Sequence, residues 1–404
     1  MAARQVERIR VCWREWHEGW HEGLVEMVET QVAKIEQQAI SDLSIRLPDG
    51  QTKGRYVVTS SAFDFDVFRQ RRLDDVGPGH AMRFLAECLG AEIVQPAESS
   101  TKRRDRIGAL IAGQPQHWAL ARSLLSDLQA GDLVYATGDD VGLPIGLLAA
   151  ARRRRIKLAI FFSAPHRLRA RTLAKVLARL GIDVLPVAGA DDKVKSLTEL
   201  GLERSGLLAS EQTDTKFFRP SRQPSDRPRP LVTSCGLEQR DYATLADAVA
   251  GMDVDVKICA VSPNFSSGTN VAMPEPMPEN LEMRRFEFSE LRSLYQDAAV
   301  TVIPLLANEY SAGMTTMMEA IACGSPVVIT ENPGLASTFK DLDLVIGVPP
   351  GDVEALKQAV QGVLDAPDAA AERAKRARSF VLAHHSSTRY VELLCGSLSA
   401  FHAS

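Results

Sequence analysis

From residue 55 onward the chain alternates short apolar runs rich in Val, Ile and Leu with longer stretches whose apolar positions recur every three or four residues. That rhythm predicts strands Arg55–Ser60, Ala91–Gln95, Asp132–Ala136, Ile156–Phe162 and Asp183–Val187. Between them it predicts helices His80–Leu89, Gln116–Gln129, Gly142–Arg152 and Lys193–Leu200, with a long loop over residues 62–79. The pattern resumes after a Pro- and Ser-rich stretch, Ser221–Pro230, with a strand from Leu231, a glycine turn at Gly236 and a helix to Ala248. A strand Val254–Val261, a loop Ser262–Asn280, a short helix, a strand ending at Pro304 and a helix Met314–Cys323 follow. Gly324 stops that helix and Pro326 opens the next strand; a strand Asp343–Gly347 and a helix Asp352–Leu364 come after it. The tail, Ala371 to about Ser399, reads as helix with a solvated break at His384-His-Ser-Ser. Strands separated by helices imply parallel, doubly wound sheets, whose ligands lie beyond the carboxyl ends of the strands.

Residues 1–45 differ. Val6, Ile9, Trp13, Trp16, Trp20, Leu24, Val28, Val32 and Ile35 form an amphipathic helical stripe. It suits docking on the chain's own first domain, a homodimer contact or a membrane surface. His17-Glu18-Gly19-Trp20-His21 matches the His-Glu-x-x-His zinc pattern, but two glycines loosen the helix that would have to hold the ligands.

A length of 404 residues implies two domains, and 45% hydrophobic with 24% charged residues is the make-up of a soluble globular protein. A formal charge of −4 argues against a nucleic-acid binder. Six scattered cysteines (12, 88, 235, 259, 323 and 395) without a Cys-x-x-Cys pair read as buried thiols of a cytoplasmic protein, membrane-associated at most peripherally. Charge is uneven, however: Arg152–Arg155, Arg167, Arg169, Arg171 and Lys175 make a basic region suited to anionic lipid or an anionic acceptor.

The chemistry concentrates in Val302–Thr330. Gly313 lets the backbone turn before a helix whose free N–H groups can meet an anion, and Glu319 follows on that helix. Glu319-Ala-Ile-Ala-Cys-Gly-Ser-Pro-Val327 resembles the donor-site motif of GT-B glycosyltransferases, most closely glycosyltransferase family 4. Asp214, Phe218 and Pro220 match the segment closing that family's first domain, and Phe286–Pro304 resembles its approach to the donor motif. The resemblance implies an α/β GT-B architecture: two Rossmann-like, doubly wound domains facing a cleft, here with an extra N-terminal amphipathic helix. The expected boundaries are 1–50 for the helical extension, 51–220 for the acceptor domain, 221–230 for the linker, 231–385 for the nucleotide-sugar domain and 386–404 for a helix crossing back.

The same resemblance implies transfer of a sugar from a nucleotide-diphosphate sugar to an acceptor hydroxyl, with retention and without metal or other cofactor. Its implied catalytic residues are His166, Arg240 and Glu319. Donor contacts fall on Gly236, Arg240, Ser311, Ala312, Gly313, Met314, Thr315 and Glu319; Gly77, Gly79, Asp139 and Asp140 lie on the acceptor side, with Ser163 and His166 also facing the cleft. The acceptor is of unknown identity, anionic or lipid-linked. Two departures stand out: Leu237 replaces a usual Arg, and Ser311 replaces a second Glu, with Glu309 two residues too early. They keep open a non-catalytic, nucleotide-sugar-binding or scaffold protein; an epimerase or phosphorylase of the same fold is a further alternative.

Overall fold

The computed structural model describes residues 54–59, 64–97, 100–165, 167–200, 204–222, 226–260, 277–308, 312–332 and 335–404. The N-terminal stripe, with its His-Glu-x-x-His, therefore lies outside the described residues, as do His166, Glu309 and Ser311.

Two six-stranded, all-parallel sheets organise the rest. In the first, β1 (Arg55–Val58), β2 (Glu92–Val94), β3 (Leu133–Ala136), β4 (Lys157–Phe161), β5 (Asp183–Ala188) and β6 (Leu207–Leu208) lie in the order β2-β1-β3-β4-β5-β6. The second contains β7 (Leu231–Cys235), β8 (Asp255–Cys259), β9 (Leu281–Arg284), β10 (Ala298–Ile303), β11 (Val327–Thr330) and β12 (Ile346–Val348), ordered β12-β11-β10-β7-β8-β9. Strands covered on both faces carry continuous apolar runs, and β3, β7 and β11 are buried along their whole length.

Side-chain alternation divides each sheet between two cores. On one face of the first sheet, Val58, Val134, Leu158 and Ile160 pack with Leu124, Ile145 and Leu177 of helices α4 (Pro115–Asp127), α5 (Asp139–Ala151) and α6 (Leu168–Arg179). On the other, Val57, Leu133, Tyr135 and Ala159 meet Leu85 and Leu89 of α2 (Ala81–Leu89). That second layer is completed by Leu394, Leu398 and Phe401 of α14 (Ser387–Ala403), the last helix of the chain. Its predecessor α13 (Pro367–His384) instead packs Ala377 and Val381 against the second sheet.

The break between α13 and α14 is not solvated, which corrects the sequence-based expectation. His385 and Ser386 are buried; Thr213 N–H donates to the His385 carbonyl at 2.9 Å, Ser387 N–H donates to the Thr213 carbonyl at 2.8 Å, and His385 Nδ1 lies 2.9 Å from the Glu211 carbonyl. The chain's two crossings between the halves thus hold one another. Cys88 of α2 and Cys395 of α14 are disulfide-bonded, so they are not the buried thiols their spacing suggested; Cys235, Cys259 and Cys323 are buried and outside any disulfide.

Other expectations also change. The loop expected over 62–79 contains α1 (Phe65–Leu73), a helix started by Asp64, whose side chain accepts from the N–H groups of Asp66 and Val67. Its Phe-Asp-Val-Phe-Arg-Gln-Arg-Arg-Leu sequence buries only Phe65, so no apolar stripe announced it. α3 (Arg103–Gly108), α7 (Asp191–Thr198), β9 and α11 (Leu335–Asp341) complete the picture around α8 (Tyr242–Val249), α9 (Phe288–Asp297), α10 (Met314–Ala322) and α12 (Val353–Asp365). The strand expected at Asp343–Gly347 runs from Ile346 to Val348. The basic region divides as well: Arg152–Arg155 precede β4 at its amino end, whereas Arg167 and Arg169 follow its carboxyl end, about 16 Å away along a five-residue strand.

Candidate active site

In the second sheet the chain leaves β7 toward β8 and β9 on one side, and leaves β10 toward β11 and β12 on the other. The crevice beyond the carboxyl ends of these two adjacent strands is where a doubly wound sheet holds its ligand. The loops that border it are fastened together. Asp241 N–H donates to the Pro304 carbonyl at 3.0 Å, and Leu306 N–H to the Gln239 carbonyl at 2.9 Å.

Gly236 and Arg240 form the β7 side. Gly236 has φ +106°, and an added Cβ would lie within 2.4 Å of Arg240 Nη2, so the guanidinium rests directly across the glycine backbone. Arg240 is buried: Nε donates to the Cys235 carbonyl at 2.8 Å, Nη1 to the Glu238 carbonyl at 2.9 Å and Nη2 to Thr316 Oγ1 at 3.1 Å. Those three bonds leave two of the five guanidinium N–H groups for another acceptor. Thr316, with no signal in the sequence, ties α10 to this arginine and to the Cys235 carbonyl.

On the β10 side Gly313 is the N-cap of α10, with φ +78° and no room for a Cβ, which would approach Ile303 Cγ2 to 2.8 Å. Among the described residues no side chain caps the helix, and its first turn carries no acid, so its leading N–H groups and the positive end of its dipole are offered at the crevice. Ala312 and Met314 are buried and Thr315 is exposed. Farther along, the Glu319 carboxyl lies beside Tyr295 of α9, whose hydroxyl donates to Oε2 at 3.3 Å. Burial pushes this carboxyl up to about 8 against the opposing pull of the Tyr295 hydroxyl, with the Cys259 thiol adding to the rise. Tyr295 sits on an apolar stripe with Leu291 and Leu294, so nothing in the sequence singled it out.

The first sheet has its own switch between β1 and β3. Here α5 begins at Asp139, earlier than the periodicity suggested, which places Asp139 and Asp140 in its first turn after the N-cap Gly138. Ser163 Oγ donates to Asp139 Oδ1 at 3.2 Å. Buried His117 presents Nδ1 3.0 Å from the Asp140 carbonyl and 3.2 Å from the Gln114 nitrogen; burial depresses its pKa first, with Asp140 pulling it back up.

Gly77 and Gly79 sit elsewhere, at the junction of the halves. A Cβ on Gly77 would lie 3.2 Å from Arg71 and 3.6 Å from Phe288 of α9. Gly79 N–H donates to Asp214 Oδ2 at 2.8 Å, and its open side is filled by the Phe84 ring. Buried Asp214 also accepts from Arg72 Nε at 2.8 Å and from the N–H groups of Lys216 and Phe217. Nearby, Arg219 and Arg292 both bind Asp75 and hold its carboxyl well below the ordinary range, Arg219 contributing most.

The structure therefore gathers Gly236, Arg240, Ala312, Gly313, Met314, Thr315 and Glu319 around one crevice, and Asp139 and Asp140 at the other. Residues 267–396 match a family model described as glycosyl transferase-like. No curated protein matches the chain. Among solved structures the chain is similar to sucrose-phosphate synthase of Thermosynechococcus elongatus (TM-score 0.61, 17% identity, covering 87% of this chain and 100% of that one). It is similar too to HepE of Anabaena in complex with UDP-glucose (TM-score 0.57, 13% identity, 86% and 99%). A third is the α,α-trehalose 6-phosphate synthase of Burkholderia multivorans (TM-score 0.62, 13% identity, 87% and 99%). At these identities the likeness is one of fold, and the fold is GT-B. Among the described residues no helix is long and apolar enough to cross a membrane.

Proposed function

We propose that this GT-B glycosyltransferase-like chain moves a sugar from a nucleotide-diphosphate sugar to an acceptor hydroxyl, with retention and without metal or other cofactor. The observation that carries the reading is the uncapped, acid-free start of α10 at the switch point of the second sheet, with Glu319 behind it on the same helix. A diphosphate leaving group needs donors aimed at the charge it develops. The N–H groups following Gly313 and the two remaining N–H groups of Arg240 can supply them.

Glu319 suits the ribose. Two vicinal hydroxyls can donate to its two oxygens, and that interaction draws the carboxyl back toward its ionised form. The similar HepE structure holds UDP-glucose, which makes a uridine nucleotide the first donor to test. Across the cleft, Asp139 and Asp140 would accept hydrogen bonds from the acceptor, and His166 and Ser311 would line the reacting sugar. Arg240 has a second role whatever the donor: by bonding Cys235, Glu238 and Thr316 it fixes the geometry of both crevice loops.

A ligand panel tests the reading. Nucleoside diphosphates and their sugars should raise the melting temperature of the protein, and Glu319→Ala should weaken the effective nucleotide by about ten- to a hundredfold, the loss of hydrogen bonds to a charged group. If no nucleotide stabilises the wild type, the donor-site assignment falls. The extensive internal bonding of Arg240, together with Leu237, favours one second reading, a nucleotide-sugar-binding protein without transfer. Donor binding without release of nucleoside diphosphate, with water or any acceptor, would select it.

A further inference from the structure

We propose that the first half of the molecule carries a docking tip for anionic membrane lipid, built from α3, the turn that follows it and the start of α6. Four large apolar side chains stand in solvent there: Leu110 and Leu168 are each 80% exposed, Ile107 67% and Ile111 49%. Together they expose on the order of 500 Å² of apolar surface, the size of patch that on a monomer is commonly functional.

The two segments are one surface because Arg169 joins them. Its Nη2 donates to the Leu110 carbonyl at 2.7 Å and its Nε to the Ile111 carbonyl, which sets Leu168 beside the turn. Pinning both carbonyls also satisfies the backbone of a turn that would otherwise bring bare acceptors toward an apolar phase.

Within the two segments the exposed charge has a single sign, the half-exposed Asp140 lying beyond the end of the turn. Lys102, Arg103, Arg104 and Arg106 are exposed on α3 and its cap, and Arg167 and Arg169 are exposed at the start of α6. Between residues 100 and 113 the one acid is Asp105, which is buried and paired with Arg122 at 3.0 Å; between 163 and 175 there is none. Guanidinium groups around an uncharged centre match a bilayer surface, which offers phosphates in its plane and acyl chains just beneath. The tip belongs to the end of the first sheet that carries Asp139 and Asp140: an added Cβ on Gly113, at the end of the turn, would lie 2.3 Å from the Asp140 carbonyl.

The inference stands apart from sugar transfer, and its test needs no nucleotide. The full chain is floated with phosphatidylcholine vesicles, with and without phosphatidylglycerol. Wild type should bind the phosphatidylglycerol vesicles and release them as salt is raised. Leu110→Glu with Leu168→Glu, both at exposed positions, should melt like wild type and lose about tenfold or more in partitioning. Arg104→Glu with Arg106→Glu should reduce binding to the anionic vesicles alone. Failure of the wild type to bind, or equal binding by the leucine variant, overturns the proposal. So does a dimer in sedimentation velocity that the leucine variant abolishes while vesicle binding persists.

Discussion

The two switch-point crevices are built alike and charged oppositely. In each, a parallel strand ends and a helix begins after a glycine N-cap, extended at Gly138 and left-handed at Gly313. At α10 the first turn carries no acid; at α5 it carries Asp139 and Asp140. The helix dipole at α10 is thus offered to an outside anion, while at α5 the chain's own carboxylates already complement it. Topology makes each crevice a candidate site; under the proposed function, the side chains of the first helical turn would decide which takes a diphosphate and which accepts from hydroxyls.

Exchanging that charge should produce the largest effect. Thr315→Asp places an acid in the first turn of α10 at an exposed position; the helix should gain slightly in stability while nucleoside-diphosphate affinity falls by about tenfold or more. Calorimetric titration beside a thermal melt checks both signs, and unchanged affinity would break the comparison. A smaller effect is expected from Asp139→Asn with Asp140→Asn: the acceptor KM should rise several-fold, on the order of one weakened hydrogen bond per residue, with donor Kd unmoved. A donor Kd that shifts instead would assign phosphates to the first half.

The smallest effect is a fraction of a proton. With Glu319 pushed up to about 8, the empty site is largely protonated at neutral pH. Ribose hydroxyls favour the carboxylate, so nucleotide binding should release protons near pH 7, seen as a buffer-dependent calorimetric heat, and affinity should strengthen as pH rises toward about 8. The same raised value means that this group's contribution to folding is fully present below 4.5 and is lost as pH rises through about 8. Glu319→Gln should flatten both dependences.

Much of this frame was legible in the chain because parallel sheets buried on both faces write themselves as apolar runs. The turn and helix from Gly313 to Glu319 were legible for a second reason: they serve backbone geometry and a helix face, and both are local. What stayed hidden was non-local or not apolar. α1 buries only Phe65 and leaves Val67 and Leu73 exposed, without a continuous apolar stripe, so it read as loop. Arg240 was read as a donor contact, and its internal bonding stayed hidden because its acceptors, two carbonyls and the Thr316 hydroxyl, include one from a helix 76 residues away. His385 looked solvated because Thr213 and Glu211, which enclose it, are far upstream. Cys88 and Cys395 are separated by 307 residues, beyond the reach of any spacing rule. Gly77 and Gly79 were expected on the acceptor side, but their contacts serve the junction between the halves.

The crossing of α14 onto the first sheet bears on how the protein is made. Leu394, Leu398 and Phe401 close a core whose other members, Val57, Leu85 and Leu133, emerge from the ribosome hundreds of residues earlier. One face of the first sheet must therefore remain uncovered while the whole second half is synthesised, an interval on the order of half a minute or less at ordinary elongation rates. The second half, whose helices α10 to α13 all precede that closing helix, has its layers in hand first. The early half thus receives its last layer at the end of synthesis, and that uncovered face is the one a chaperone would have to shield.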